Sequence, residues 1–244
     1  MRRKSLLVIC FLIVYPFIIT NSTYAQTGHL KYGYIEFPPF TYTDSDKKPN
    51  GFLVDWASKI FPKAGYQFSS QSFPVLRLAE YIVEGKIDVW MGLKTLPQFK
   101  GTTYKGVVKI TDLVLKAYTK KKIKKIIKKE DLSGSSVIIL RGYSYGGWIQ
   151  YIKDPKNKVK YIKANKHKSA LKMLNADRAD YLLDYKAPCE IAQREVKVEG
   201  LKFNTIKALP IYFIVSKKVI NGGKVLKDIE RVFIKLKKAG QLNY

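Results

Sequence analysis

Cysteine is nearly absent from this chain. Of its two cysteines, Cys10 sits in the first apolar run and Cys189 stands alone in the remainder. No disulfide can form within a chain cut after that run, so the fold must hold without covalent staples. Histidine is as scarce: there are two, His29 and His167. Neither has an evident nucleophile or acidic orienter along the sequence, and Cys189 has no histidine close by, so it reads as a small buried hydrophobe. Metal-ligand spacing of the Cys-x-x-Cys or His-x-x-x-His kind is missing, and the stretch Gly142–Gly147 lacks the Lys-Thr ending of a phosphate loop. These absences point to a protein without metal, cofactor or catalytic constellation: not an enzyme. Acidic residues are also few, 19 against 45 Lys and Arg, for a net charge of +26. After the first apolar run, none long enough to cross a bilayer follows.

That first run carries an address. Arg2, Arg3 and Lys4 precede an apolar stretch from Leu6 to Ile19, and Thr23-Tyr24-Ala25 places small residues where a signal peptidase reads. Residues 1–25 are expected to be a cleaved signal peptide and the protein to be periplasmic; the alternative is an uncleaved anchor. Leu7-Val8-Ile9-Cys10 lacks the small residues that precede a lipidated cysteine. Removing three basic residues and no acids leaves +23 on the mature protein. Such a field attracts polyanions. The export signal and the lack of aromatic-basic recognition motifs argue against nucleic acid. Lys120, Lys121, Lys122, Lys124, Lys125, Lys128 and Lys129 alternate with Ile123, Ile126 and Ile127 at helical spacing. This predicts a short amphipathic helix whose lysine face is either simply solvated or docks on an anionic envelope surface.

Roughly 220 mature residues can bury a full core as one domain or two smaller lobes. Strand and helix signals alternate, which favours an α/β architecture. Leu30–Ile35 reads as a strand ended by Pro38-Pro39. Leu53, Trp56, Ala57, Ile60 and Phe61 form one helical stripe that Pro62 and Gly65 should terminate. Tyr66–Phe73 is a second strand, Val75–Val83 a helix capped by Gly85, and Ile87–Leu93 a short buried strand. The pattern then repeats, with a helix around Ala170–Leu174, a turn at Asp177–Asp180 and a strand at Tyr181–Asp184. Two similar units suggest two lobes on one plan. Leu113–Tyr118 and Ile206–Val215 are the candidate crossings between them, and two crossings make a hinge. Val225–Leu236 closes the chain as an amphipathic helix ended by Gly240.

Tyr32-Gly33-Tyr34 with Pro38-Pro39-Phe40, Gly51-Phe52-Leu53-Val54-Asp55, Gly85-Lys86-Ile87-Asp88, Asp131-Leu132-Ser133-Gly134, Arg141-Gly142-Tyr143-Ser144-Tyr145-Gly146, and Asp180 with Asp184 together resemble the bacterial extracellular solute-binding proteins of family 3. The resemblance covers nearly the whole mature chain. It implies the type II periplasmic-binding fold, with 26–112 plus 205–244 as lobe 1, 113–204 as lobe 2 and a two-strand hinge. It also implies capture of a small polar solute, such as an amino acid or a related zwitterion or anion, for an ABC-type transporter. Other outcomes on this fold are a sensing or envelope-associated module, or a dehydratase-like enzyme.

For the site, the resemblance implies an aromatic platform at Phe37 and Phe40, each of which could equally be a core residue. It further implies an ammonium acceptor at Asp184, and contacts from Gly92, Thr95, Tyr143, Ser144 and Tyr145. Family members carry a Thr-x-x-Arg segment whose guanidinium grips a carboxylate in a bidentate fork. Here Gly92–Lys100 puts Phe99 or Gln98 at that place, depending on whether proline or threonine is aligned. Arg77, at the start of its helix, and Arg141, in a loop that opens a helix, are the candidates to replace the lost cation.

Overall fold

The computed structural model describes residues 28–121 and 124–242. The signal peptide expected at 1–25, and Lys122 and Ile123, lie outside the described residues.

The first half begins with β1 (His29–Tyr34), a hairpin of β2 (Tyr42–Thr43) and β3 (Pro49–Asn50), α1 (Phe52–Lys63), β4 (Gln67–Ser72), α2 (Val75–Glu84), β5 (Val89–Gly92) and β6 (Thr103–Lys105). The long β7 (Thr111–Thr119) then leads into β8 (Ser136–Leu140), α3 (Trp148–Lys153), β9 (Lys160–Ala164), α4 (His167–Asn175), β10 (Tyr181–Tyr185) and α5 (Lys186–Gln193). The 15-residue β11 (Lys202–Ser216) returns to α6 (Gly222–Lys238).

Strand pairing divides the molecule in two. In one half β4, β1 and β5 run parallel and β5 meets β11 antiparallel; in the other β9, β8 and β10 run parallel and β10 meets β7 antiparallel. β7 and β11 pair with each other from Thr111–Ile211 to Thr119–Lys202, with a bulge between Thr205 and Lys207. β11 joins the first half through β5 and β7 joins the second through β10, so the β7–β11 pair is the two-strand hinge between two α/β lobes.

The helices follow their apolar stripes. Leu53, Trp56, Ala57, Ile60 and Phe61 are buried on α1 as the periodicity predicts, although the helix runs one residue past Pro62. A proline in the last turn forfeits one N–H bond without removing the turn. Gly85 caps α2 in the left-handed conformation (φ 78°). α2 covers one cluster around Leu78, Ile82, Trp90 and Phe99, and α4 with α5 covers another around Leu171, Leu182 and Cys189.

Each lobe is also pinned by the aspartate that ends its repeated turn. The Lys31 N–H donates to Asp88 Oδ2 at 2.8 Å, tying β1 to β5. The Ser136 N–H and hydroxyl donate to Asp180 Oδ2 at 2.9 and 2.7 Å, tying β8 to β10, and Lys121 Nζ reaches Asp180 Oδ1 at 2.7 Å.

The lysine-rich segment corrects the sequence expectation. Residues 124–127 form no helix. They cross the lobe as an extended strap: Asn204 brackets Ile126 through both its backbone N–H and carbonyl, the Tyr181 hydroxyl donates to the Lys124 carbonyl, and the Ile126 side chain is buried. Like charges one turn apart penalise a helix here, and one buried isoleucine with three tertiary hydrogen bonds outweighs the helical pattern.

Candidate functional site

Where the lobes meet, Phe37 from the turn after β1 packs against Tyr143, His167 and Tyr185 of the other lobe, with ring centroids 6.0, 5.9 and 5.4 Å away. Phe40 stands behind Phe37 at 5.3 Å. The hydrophobic core is continuous through these rings from Phe61 to Tyr185, so the two lobes are closed on one another. Between them lies a cavity of about 60 Å3 walled by Phe37, Phe40, Trp90, Gly92, Tyr143, Ser144 and Tyr185 among others, with no charged side chain from the described residues in its wall. Gly92 is there because the Trp90 ring lies where its Cβ would be, 2.2 Å away.

A second space of about 290 Å3 opens outward from the same Leu96, Gly142, Tyr143 and Ser144 walls. Among the described residues it is lined by Gln98, Gln150 and three cations, Arg141, Lys153 and Lys163, and by no acidic residue. Arg141 Nε donates to Asn165 Oδ1 at 2.9 Å, leaving the rest of its guanidinium without a carboxylate.

The loop after β8 shapes this junction. Gly142 has φ +85°, and a Cβ there would sit 2.4 Å from Val75 Cγ1 on α2 of the facing lobe. Only glycine lets the two jaws approach this closely. Tyr145 is wholly buried, its hydroxyl accepting from the Leu140 N–H at 2.6 Å and its ring stacked on Tyr185 at 5.9 Å. Tyr145 therefore braces the site from behind and does not line the cavity. α3 is only six residues long, and the N–H of Ile149 is turned back to the Ser144 carbonyl.

Asp184 departs most from the sequence expectation. It is completely buried, and both its oxygens accept from His167 Nδ1, at 2.9 and 2.8 Å, while Oδ1 also takes the Tyr185 N–H at 2.7 Å. The Tyr143 hydroxyl lies 3.2 Å from His167 Nε2. His167 thus does have an acidic orienter, which spacing along the chain did not reveal. The period of two along β10 explains the placement: Leu182 packs in the cluster under α4, while Leu183 and Tyr185 face the core shared with Phe37. The sequence reading missed both Tyr185 and His167; the alternation through β10 was the signal for the first. Burial, with the Asp184 charge behind it, holds the Tyr143, Tyr145 and Tyr185 hydroxyls well above the ordinary phenol range, so all three stay protonated. Among the described residues the Tyr185 hydroxyl has no hydrogen-bond partner.

The remaining candidates do not converge. Arg77 is exposed on α2 and walls neither space, and Thr95 is exposed beyond them. Helical periodicity accounts for Arg77: its neighbour Leu78 takes the buried face of α2. Phe99 is buried against Trp90 at 5.8 Å, and Gln98 lies on the outer groove. Of the two residues that could stand at the arginine's place, one is thus a packed ring and the other an exposed amide. Among the described residues no group of three or more His, Cys, Asp or Glu could hold a metal, and no helix is long and apolar enough to cross a membrane.

Two α/β lobes joined by a two-strand hinge, with a lined cavity between them, define the type II periplasmic-binding fold. The chain belongs to the bacterial extracellular solute-binding proteins, family 3, whose family model matches residues 30–242. Among solved structures, a histidine kinase sensor domain with similarity to periplasmic binding proteins superposes with a TM-score of 0.74 at 19% identity, covering 89% of this chain and 92% of that one. An ancestral arginine-binding protein bound to arginine gives 0.69 at 24%, covering 88% and 95%, and holo ArgBP from T. maritima gives 0.68 at 23%, covering 86% and 91%. At such identities the likeness shows the fold. No curated protein matches the sequence.

Proposed function

We propose that this chain is an exported, periplasmic solute-binding protein whose lobes, 26–112 with 205–244 and 113–204, close over a small molecule and present the closed form to an ABC-type transporter. The observation that carries this reading is the cavity between the jaws, where Phe37 of one lobe meets Tyr143 and Tyr185 of the other. A site split between lobes couples occupancy to closure, because a solute touching both jaws favours the closed state by its differential affinity. Membership of an extracellular family and the basic-apolar N-terminus support export. A solute-binding protein of an amino-acid ABC transporter, similar at 18% identity with a TM-score of 0.67, supports the transport coupling.

The amino-acid assignment has weaker support, since Asp184 is already paired and the place of the family's arginine falls on Phe99 or Gln98, neither of them cationic. A second reading, ligand sensing without uptake, is favoured by the likeness to the kinase sensor domain. The exposed Lys124, Lys125, Lys128 and Lys129 on the strap would in either case hold the protein near an anionic envelope surface.

Host metabolites screened for thermal stabilisation and turnover together test the proposal. A binder gains RT ln(1 + [L]/Kd) and consumes nothing. Consumption of a stabilising metabolite would turn the reading to an enzyme, and a full screen with no stabilisation would sink it.

A further inference from the structure

We infer that the cleft takes an organic anion with an apolar body and no ammonium group, such as a carboxylic acid, rather than an α-amino acid. This rests on the solute-binding reading and narrows it. Three independent features of the cleft lead there.

The position that would receive an ammonium is already filled. Asp184 is fully buried and spends both oxygens on the His167 imidazole N–H, whose own side chain is only 12% exposed. An ammonium would have to displace His167 and break the Tyr143 contact behind it, or else sit uncompensated in a cavity without charged walls, and an unpaired buried charge is strongly disfavoured.

The inner cavity is built for an apolar body. Its walls are mostly aromatic and aliphatic, with the hydroxyl-bearing Thr41 and Ser144 among them, and Tyr185, 3% exposed, has no partner for its Oη among the described residues. A buried hydroxyl left unsatisfied costs free energy, so a solute that supplies an acceptor or donor to it relieves a defect of the solute-free closed form.

The outer groove is built for a negative charge. It shares Tyr143 and Ser144 with the inner cavity and gathers Arg141, Lys153 and Lys163 without one carboxylate to balance them. A chain entering from the inner cavity past Tyr143 would bring its anionic end among these cations. The groove stays open to water, so the attraction is salt-sensitive, whereas contacts in the inner cavity are not.

Three molecules with one isobutyl-type body and different heads separate the possibilities in calorimetry on the purified full chain: 4-methylpentanoate, leucine and 4-methylpentan-1-ol. The acid is expected to bind tightest, with affinity falling as salt is raised. Arg141→Gln should weaken the acid by about 10-fold, as expected for a charged hydrogen bond, and leave the alcohol unchanged. Tyr185→Phe should weaken acid and alcohol alike, by roughly 2- to 10-fold, while leaving the melting temperature of the free protein level or higher. Leucine binding above the acid would overturn the inference in favour of a zwitterion. Alcohol binding equal to the acid would overturn it in favour of a neutral solute, with the cationic groove a bystander. If none of the three binds while a host metabolite extract still stabilises the protein, the organic-acid inference falls and the solute-binding reading stands. If the extract does nothing either, that reading falls with it.

Discussion

In the N-terminal lobe β4, β1 and β5 lead to the antiparallel β11, and in the other lobe β9, β8 and β10 lead to the antiparallel β7. Each lobe has a helix-turn-aspartate-strand unit, and in each the aspartate clips the neighbouring strand, Asp88 through Lys31 and Asp180 through Ser136. The frame is thus the same twice. The jaws are not. Lobe 1 presents Phe37, Trp90 and aliphatic side chains to the cleft, with Phe99 packed against Trp90. Lobe 2 presents Tyr143, Ser144 and Tyr185, with a carboxylate sealed behind them by His167. Strand pairing and the aspartate clips serve the fold and recur; the residues that meet solute are free to diverge. One frame therefore does not imply one ligand.

The sharpest way to break this comparison is at Asp184. If it belongs to the frame of lobe 2 and not to the ligand, Asp184→Ala strands the His167 and Tyr185 N–H donors and should cost about 2–5 kcal/mol of unfolding free energy without any solute present. Urea unfolding measures this, and Asp184→Asn, which keeps an acceptor, should recover part of the loss. An unchanged midpoint would return Asp184 to the ligand.

Gly142→Ala tests whether the jaws need their close approach. A β-carbon at φ +85° costs ~1–2 kcal/mol and meets Val75 of the facing lobe, so closure should be penalised more than folding. The apparent affinity for any solute should drop as the closed fraction drops, with the melting temperature falling only a few degrees.

The aspartate clips sharpen the comparison through pH. Hydrogen bonding to Lys121, then to Ser136, holds the Asp180 carboxyl down at about 2. Because this lies below the ordinary carboxylate value near 3.9, its stabilisation is complete above about pH 4 and is lost as pH falls towards 2. The side chain is 31% exposed, so solvent screening reduces the effect to on the order of 1 kcal/mol. Asp180→Asn should flatten this part of the acid limb of a stability–pH curve.

The smallest expected effect on folding lies at the strap. Lys124, Lys125, Lys128 and Lys129 replaced together by glutamine should move stability by no more than ~0.5 kcal/mol. The variant should lose any salt-dependent adhesion to anionic vesicles that the parent shows. Adhesion that survives the four replacements would place the basic surface elsewhere.

The fold was legible because it is written in local periodicity. The α1 stripe from Leu53 to Phe61, the Gly85 cap and the two Asp-ended turns need only their own neighbours to be read. The strap was misread because Ile126 and the lysines have helical spacing, while its conformation is decided by Asn204 and Tyr181, distant in sequence. The site was half legible for the same reason. Phe37, Phe40, Gly92, Tyr143 and Ser144 do wall the cavity, whereas the Asp184–His167 pair spans 17 residues and depends on which face of β10 meets α4. Arg77 was proposed from its place at the start of α2 and Thr95 from the motif; both are exposed and wall neither space, though neighbours such as Leu76 and Leu96 do.

The central claim is that two lobes hinged on β7 and β11 close over the Phe37–Tyr185 cavity. Small-angle scattering of the purified protein with and without the solute found by the stabilisation screen tests it most directly. Rigid-body closure predicts a smaller radius of gyration at saturating solute for the parent chain, and a smaller contraction for Gly142→Ala. A radius that stays the same in the parent while the solute is demonstrably bound would contradict the clamp.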